Sequence, residues 1–153
     1  MATITVLCER LLGDPAALDA TEAAWHFVPV ADPDGTRLNE GWFAGPWTRA
    51  HYARHFYRPG GAQQVEWTFP FVTEDFVVDA PMPETKALMT AIDEVRPGVI
   101  ASLHNGEMGG AYFYAPPGAP AFHKELTDLC DTYGIPLHLG GPEAPFIAEL
   151  APA

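Results

Sequence analysis

His104 and Glu107 stand three residues apart in the run Gly98-Val-Ile-Ala-Ser-Leu-His104-Asn105-Gly106-Glu107-Met108-Gly109-Gly110. A histidine at the exit of a short apolar strand sits where α/β proteins commonly gather their ligand-binding groups. There it can act as a metal ligand or a general base, and the glycines after it let a backbone approach a ligand closely. His-x-x-Glu can also present two zinc ligands, with His123 or His138 as a third. The glycines around Glu107 oppose the helix that such a pair would use. A hydrogen-bonded structural histidine in a tight turn fits the same residues.

A second cluster runs Arg49-Ala-His51-Tyr-Ala-Arg54-His55-Phe-Tyr-Arg58. On a helix His51 and His55 share a face and can bind a metal, while Arg54 and Arg58, also four apart, can clamp a carboxylate or phosphate. The bland reading is that these arginines neutralise acids such as Glu40 and Glu66. A third cluster is Gln63-Gln64-Val-Glu66-Trp67. A carboxylate shielded by an indole can serve as a general acid, or it can pair with an arginine. No Gly-rich phosphate loop, nucleophile elbow or nucleic-acid motif is present.

The elements that must position these groups alternate. Ile4 to Leu12 reads as a helix, with Ile4, Leu7, Cys8, Leu11 and Leu12 on one face, and Asp14-Pro15 caps a short second helix to Ala20. Trp25 to Ala31 is predicted as a strand running into the turn Asp32-Pro33-Asp34-Gly35. Thr36 to Pro70 is irregular, which inside a domain points to function or a partner interface. A helix follows from Pro83, with Leu88, Ile92 and Val95 at helical spacing, and Arg96-Pro97 ends it. Gly98 to Leu103 and Ala111 to Ala115 are predicted strands. Pro120 opens a helix carrying Phe122, Leu126, Leu129, Cys130 and Tyr133, which Gly134 closes. The order predicts an α/β fold, a partial mixed sheet flanked by helices.

Composition narrows the function classes. The 153 residues are 48% apolar and 18% charged, the profile of a folded single domain spanning 1–153. Twenty acidic residues against eight Lys and Arg leave a net charge of -12, which disfavours nucleic acid and anionic membrane as partners. No apolar stretch approaches the roughly 20 residues that span a bilayer. Glu9 and Arg10 interrupt the first apolar run, unlike a secretory signal. A cytoplasmic location follows as the expectation, with Cys8 and Cys130 as free thiols.

Three segments together resemble the zinc metallocarboxypeptidases, the carboxypeptidase A-like peptidases. Val28-Pro-Val-Ala-Asp32-Pro33-Asp34-Gly35 resembles their Asn-Pro-Asp-Gly turn. Leu38-Asn39-Glu40-Gly41-Trp42 is similar to their Asn-Arg-x-Trp stretch. Arg96-Pro-Gly-Val-Ile-Ala-Ser-Leu-His104-Asn105 is similar to the strand that delivers their third zinc ligand. The resemblance implies a cut-down zinc carboxypeptidase-like fold with His104 as the ligating histidine. It also implies Asn39 in contact with a substrate carboxylate and Arg37 as the charge that holds it. Glu40 stands where the family has Arg, and Arg54 or Arg58 can compensate.

The family's His-x-x-Glu ligand pair would precede the first helix and its general-base glutamate would follow a late strand. Neither has a counterpart between Met1 and Ala153, so the resemblance implies a domain truncated at both ends. One histidine does not make a catalytic zinc site, which takes three protein ligands. The leading expectation is a domain that binds a peptide-like or amino-acid-like carboxylate without zinc peptidase activity. His104 with Glu107 or Glu66 would then supply any acid–base chemistry. Two alternatives stay open. One is a zinc-dependent hydrolase whose missing ligands come from a partner subunit; the other is a non-catalytic interaction protein. Unpaired sheet edges in such a fragment imply a homodimer or a hetero-complex.

Overall fold

The computed structural model describes residues 2–104 and 110–138, which belong to two compact units, Met1–Gly98 and Val99–Ala153. Among the described residues the architecture is helical with one small antiparallel sheet, α/β only in the coarse sense. No helix of the described residues is long and apolar enough to cross a membrane.

In the first unit, α1 (Ala2–Gly13) and α2 (Pro15–Asp19) form where the apolar spacing places them. Asp14 caps α2 by accepting from the Ala17 N–H at 3.1 Å, and Pro15 occupies the first turn, where its missing N–H costs nothing. The expected strand over Trp25 to Ala31 does not form. Trp25 and Phe27 do stack, with centroids 5.9 Å apart, as residues two apart on an extended chain do. Among the described residues no neighbouring backbone pairs with them, and a strand requires that partner as well as a pattern.

Asp32-Pro33-Asp34-Gly35 is a helix start rather than a turn between strands. Asp32 accepts from the Gly35 N–H at 2.8 Å, and Pro33 opens α3 (Pro33–Phe43). Asp and Pro serve both purposes because each does the same local job, satisfying or removing an N–H. The supposedly irregular stretch to Pro70 therefore holds α3, α4 (Arg49–His55, capped by Thr48) and two 3-10 turns, Gly61–Gln63 and Val65–Trp67.

A hairpin follows that the apolar pattern did not announce. β1 (Phe71–Val72) pairs antiparallel with β2 (Val77–Val78), Phe71 opposite Val78 and Val72 opposite Val77. The Thr73 N–H closes the loop on the Phe76 carbonyl at 2.8 Å. Then α5 (Pro83–Val95) runs as its periodicity requires and ends on Arg96 in the left-handed region, φ 49°. Its first turn is pinned to the second 3-10 turn through buried threonines. Thr68 Oγ1 and Thr85 Oγ1 lie 2.6 Å apart and both reach the Val65 carbonyl, at 3.2 and 3.0 Å. Two hydroxyl protons serve three contacts, so one threonine donates to Val65 and the other to its partner.

The expected strand Gly98 to Leu103, which straddles the boundary of the two units, is exposed and pairs with no strand among the described residues. Of the expected strand Ala111 to Ala115 only Ala111 bridges, in parallel to Leu137. The Ala111 N–H donates to the Pro136 carbonyl at 2.8 Å, and the His138 N–H donates to the Ala111 carbonyl at 2.9 Å. α6 (Pro120–Tyr133) forms as expected, with Gly134 at φ 63° and the Ile135 N–H returning to the Cys130 carbonyl at 2.8 Å. Cys130 is the buried residue of its apolar face. Both cysteines are free thiols, Cys8 half-buried.

Candidate functional site

The densest polar geometry in the first unit is the junction of α3 with α4 and the chain just after it. Asn39 is its hub. Its Nδ2 donates to the Gly35 carbonyl at 2.8 Å and to the Tyr57 carbonyl at 3.0 Å. Its Oδ1 accepts from Trp42 Nε1 at 2.7 Å and from the Tyr57 N–H at 3.0 Å. A carboxamide has two donors and two acceptor lone pairs, and all four are used. A ligand carboxylate reaching Asn39 therefore finds no N–H left to accept from. The residue expected to touch substrate instead clamps α3 to the segment after α4.

Gly41, two residues before the end of α3, receives both histidines of the basic cluster. His51 Nε2 donates to its carbonyl at 2.9 Å. A side chain at position 41 would bring its Cβ to 3.3 Å from His55 Nδ1, so glycine here leaves room for that ring. The two imidazoles lie with centroids 4.4 Å apart, on one face of α4 as their spacing predicts. Trp42 gathers an aromatic cluster beside them: Phe43 at 4.5 Å, Tyr52 at 5.3 Å, Trp47 at 5.7 Å and Phe56 at 6.1 Å. The sequence showed this stretch only as irregular and rich in Gly, Pro, Trp and Tyr, so the aromatic cluster around Trp42 was not foreseen. Gly41 carried no signal beyond being a glycine inside a helix.

The arginines divide. Arg54 lies on α4, but the helix ends at His55 and Phe56 is extended, φ -70° and ψ 127°. Arg58 is therefore off the helix, and the expected helical Arg54–Arg58 clamp is not built. Arg37, on α3, is exposed, and neither it nor Arg54 makes an ion pair among the described residues. Glu66 lies in a 3-10 turn, exposed beside an exposed Trp67, so the indole does not shield it as a general acid would require.

His104 belongs to the second unit and is exposed, and its expected companion Glu107 lies outside the described residues. Of the third-ligand candidates, His123 has its Nε2 on the Pro116 carbonyl at 3.0 Å, and the His138 ring stands 6.0 Å from Tyr112. Among the described residues no three His, Cys, Asp or Glu side chains are gathered so as to hold a metal ion. The zinc centre implied by the resemblance does not fit these described residues, since His104 alone cannot hold it.

An open apolar groove of about 610 Å³ lies elsewhere in the first unit, lined by Cys8, Leu11, Leu18, Trp25 and Phe27, with Asp19 and Glu22 among its residues. The sequence pattern predicted the α1 face that lines it but not the chain that folds over that face. No protein-family model matches the chain, and no curated protein or solved structure shows significant similarity to it.

Proposed function

We propose that this chain is a carboxypeptidase-like domain that binds a peptide-like or amino-acid-like ligand through the ligand's carboxylate. Arg37 is the cationic anchor, with Arg54 and Arg58 nearby in the chain as further sources of positive charge. Asn39 acts as a positioning residue, holding the backbone of Tyr57 against the helix that carries Arg37. Ordinary zinc peptidase activity is absent from this reading.

The observation that carries the reading is the state of Arg37. In a chain with 20 acidic and eight basic residues, it is exposed and makes no ion pair among the described residues. A guanidinium in that condition suits a planar carboxylate, which it meets with two parallel N–H···O bonds. The segment around it, Asp32-Pro33-Asp34-Gly35 to Trp42, is also where the resemblance lies.

Calorimetric titration with N-acetyl-L-phenylalanine, and separately with its carboxamide, tests the proposal. The acid binds and the amide does not, and Arg37→Ala weakens the acid tenfold or more, as a charge-assisted bond of about 1.5–3 kcal/mol requires. Equal behaviour of acid and amide sinks the reading.

The hairpin favours a second reading, an interaction protein acting as a homodimer or in a hetero-complex. Phe71, Val72, Phe76 and Val77 are 57%, 70%, 60% and 64% exposed. A two-stranded hairpin with apolar side chains open to water is marginal by itself. Light scattering on the purified protein tests this reading: a mass of one chain, unchanged across concentration, counts against the homodimer.

A further inference from the structure

We propose that His51 and His55 form a binding site for a late first-row divalent transition ion, Cu²⁺ above all, at the α3–α4 junction. The inference does not depend on the carboxylate-binding reading. It rests on three features that act together. First, the rings are four residues apart on α4 with centroids 4.4 Å apart, a separation at which one nitrogen from each ring can reach a common ion.

Second, the tautomer of His51 is set. A carbonyl oxygen only accepts, so the 2.9 Å bond from Nε2 to Gly41 puts the proton on Nε2. In the neutral ring the lone pair then sits on Nδ1, free for a metal. Donation of the second ring N–H to a backbone carbonyl is the usual support of a metal-binding histidine. Third, glycine at position 41 lets the His55 ring settle against α3, with Nδ1 on that side, which turns Nε2 outward.

Imidazole donors suit copper, nickel and zinc, and the order of affinity among them peaks at copper. The remaining coordination positions belong to water, because among the described residues no third His, Cys, Asp or Glu completes a group. Arg49 and Arg54 lie on the same helix and oppose a cation. Their charges are exposed and screened over about 8 Å at physiological salt, while the metal–nitrogen bonds are local. The arginines lower the affinity without removing the site.

The test is calorimetric titration of the full chain with Cu²⁺ and with Ni²⁺. His51→Gln is the first variant, because its side-chain amide can still donate to Gly41 but offers no imidazole nitrogen. His55→Ala is the second, and His123→Ala, in the other unit, is the control. The expected result is one Cu²⁺ per chain, bound more tightly than Ni²⁺, weakened at least tenfold in both junction variants and unchanged in the control. Thermal melts of each variant separate loss of the ligand from loss of the fold. Unaltered Cu²⁺ binding in a folded His51→Gln or His55→Ala protein overturns the proposal. So does binding lost in a His104→Ala variant but kept in both of these.

Discussion

The side chain of Asn39 pairs with the backbone of Tyr57 as one strand residue pairs with another, accepting from its N–H and donating to its carbonyl, both at 3.0 Å. The 17 intervening residues hold α4 and its aromatic cluster, so this ring of two bonds closes the α3–α4 loop. Substitutions here should be felt throughout the unit. Four part-exposed hydrogen bonds at about 0.5–1.5 kcal/mol each predict that Asn39→Ala costs about 2–6 kcal/mol. Asn39→Asp should be no better than alanine, because a carboxylate oxygen replaces the NH₂ and faces the Gly35 and Tyr57 carbonyls. All four tryptophans precede Gly98, so urea denaturation followed by their fluorescence reads this unit alone. An Asp variant as stable as the parent would contradict the assigned bonds.

The buried Thr68–Thr85 pair makes a different prediction, one of non-additivity. Thr85→Val keeps the shape and removes one hydroxyl, and Thr68 can still donate to Val65, so the cost is about 1–2 kcal/mol. Thr68→Val also strips the acceptor facing the Met82 N–H at 3.4 Å. Residues that share partners do not add. The double valine variant should therefore cost less than the sum of the singles, since it leaves no lone hydroxyl behind. A strictly additive cycle in urea melts would show that the two hydroxyls do not act as a unit.

Helices with a breaker and a cap were legible from the residues. Asp14 to Ala20, Pro83 to Arg96, and Pro120 to Gly134 each contain their own start and stop within their own length. What the local pattern could not carry was anything that needs a distant partner. Trp25 to Ala31 alternates like a strand, yet no backbone comes alongside it, and Pro29 removes one donor from the start. Asp32-Pro33-Asp34-Gly35 carries the chemistry of a helix cap and of a turn equally, and only the following eight residues decide between them. The His51–His55 face followed from spacing. The role of Asn39 did not, because its partner lies 18 residues away, across a helix.

Trp42 joins the clamp to the aromatic cluster, and the two contributions can be separated. Trp42→Phe keeps a ring among Phe43, Tyr52 and Phe56 but drops the bond to Asn39 Oδ1, which predicts a loss of about 1 kcal/mol. Trp42→Ala also removes the ring contacts and predicts about 3 kcal/mol. Trp47 touches the same cluster but is 75% exposed, so Trp47→Ala should cost well under either. The ordering in urea midpoints is the check. A Trp47 effect equal to that of Trp42→Ala would move the centre of the cluster.

Gly110 is the position at which a single methyl group should open the second unit. A Cβ built there would run into the Pro136 carbonyl oxygen and the Leu137 backbone. These are backbone atoms that cannot swing aside as a flexible side chain can. The parallel bridge from Ala111 to Leu137 depends on that close approach, through the bonds Ala111 N–H to Pro136 and His138 N–H to Ala111. Gly110→Ala should therefore push the two segments apart at an overpacking cost of about 1–3 kcal/mol. α6 stops at Tyr133, and its cap at Gly134 uses only carbonyls of its own last turn, so the helix should survive. Amide hydrogen exchange by NMR distinguishes the two regions. The expected result is faster exchange at Ala111 and His138 with unchanged protection between Lys124 and Cys130. Protection at Ala111 and His138 equal to that of the parent would mean that the bridge does not need the glycine. Uniform loss across α6 as well would mean that bridge and helix melt as one cooperative unit.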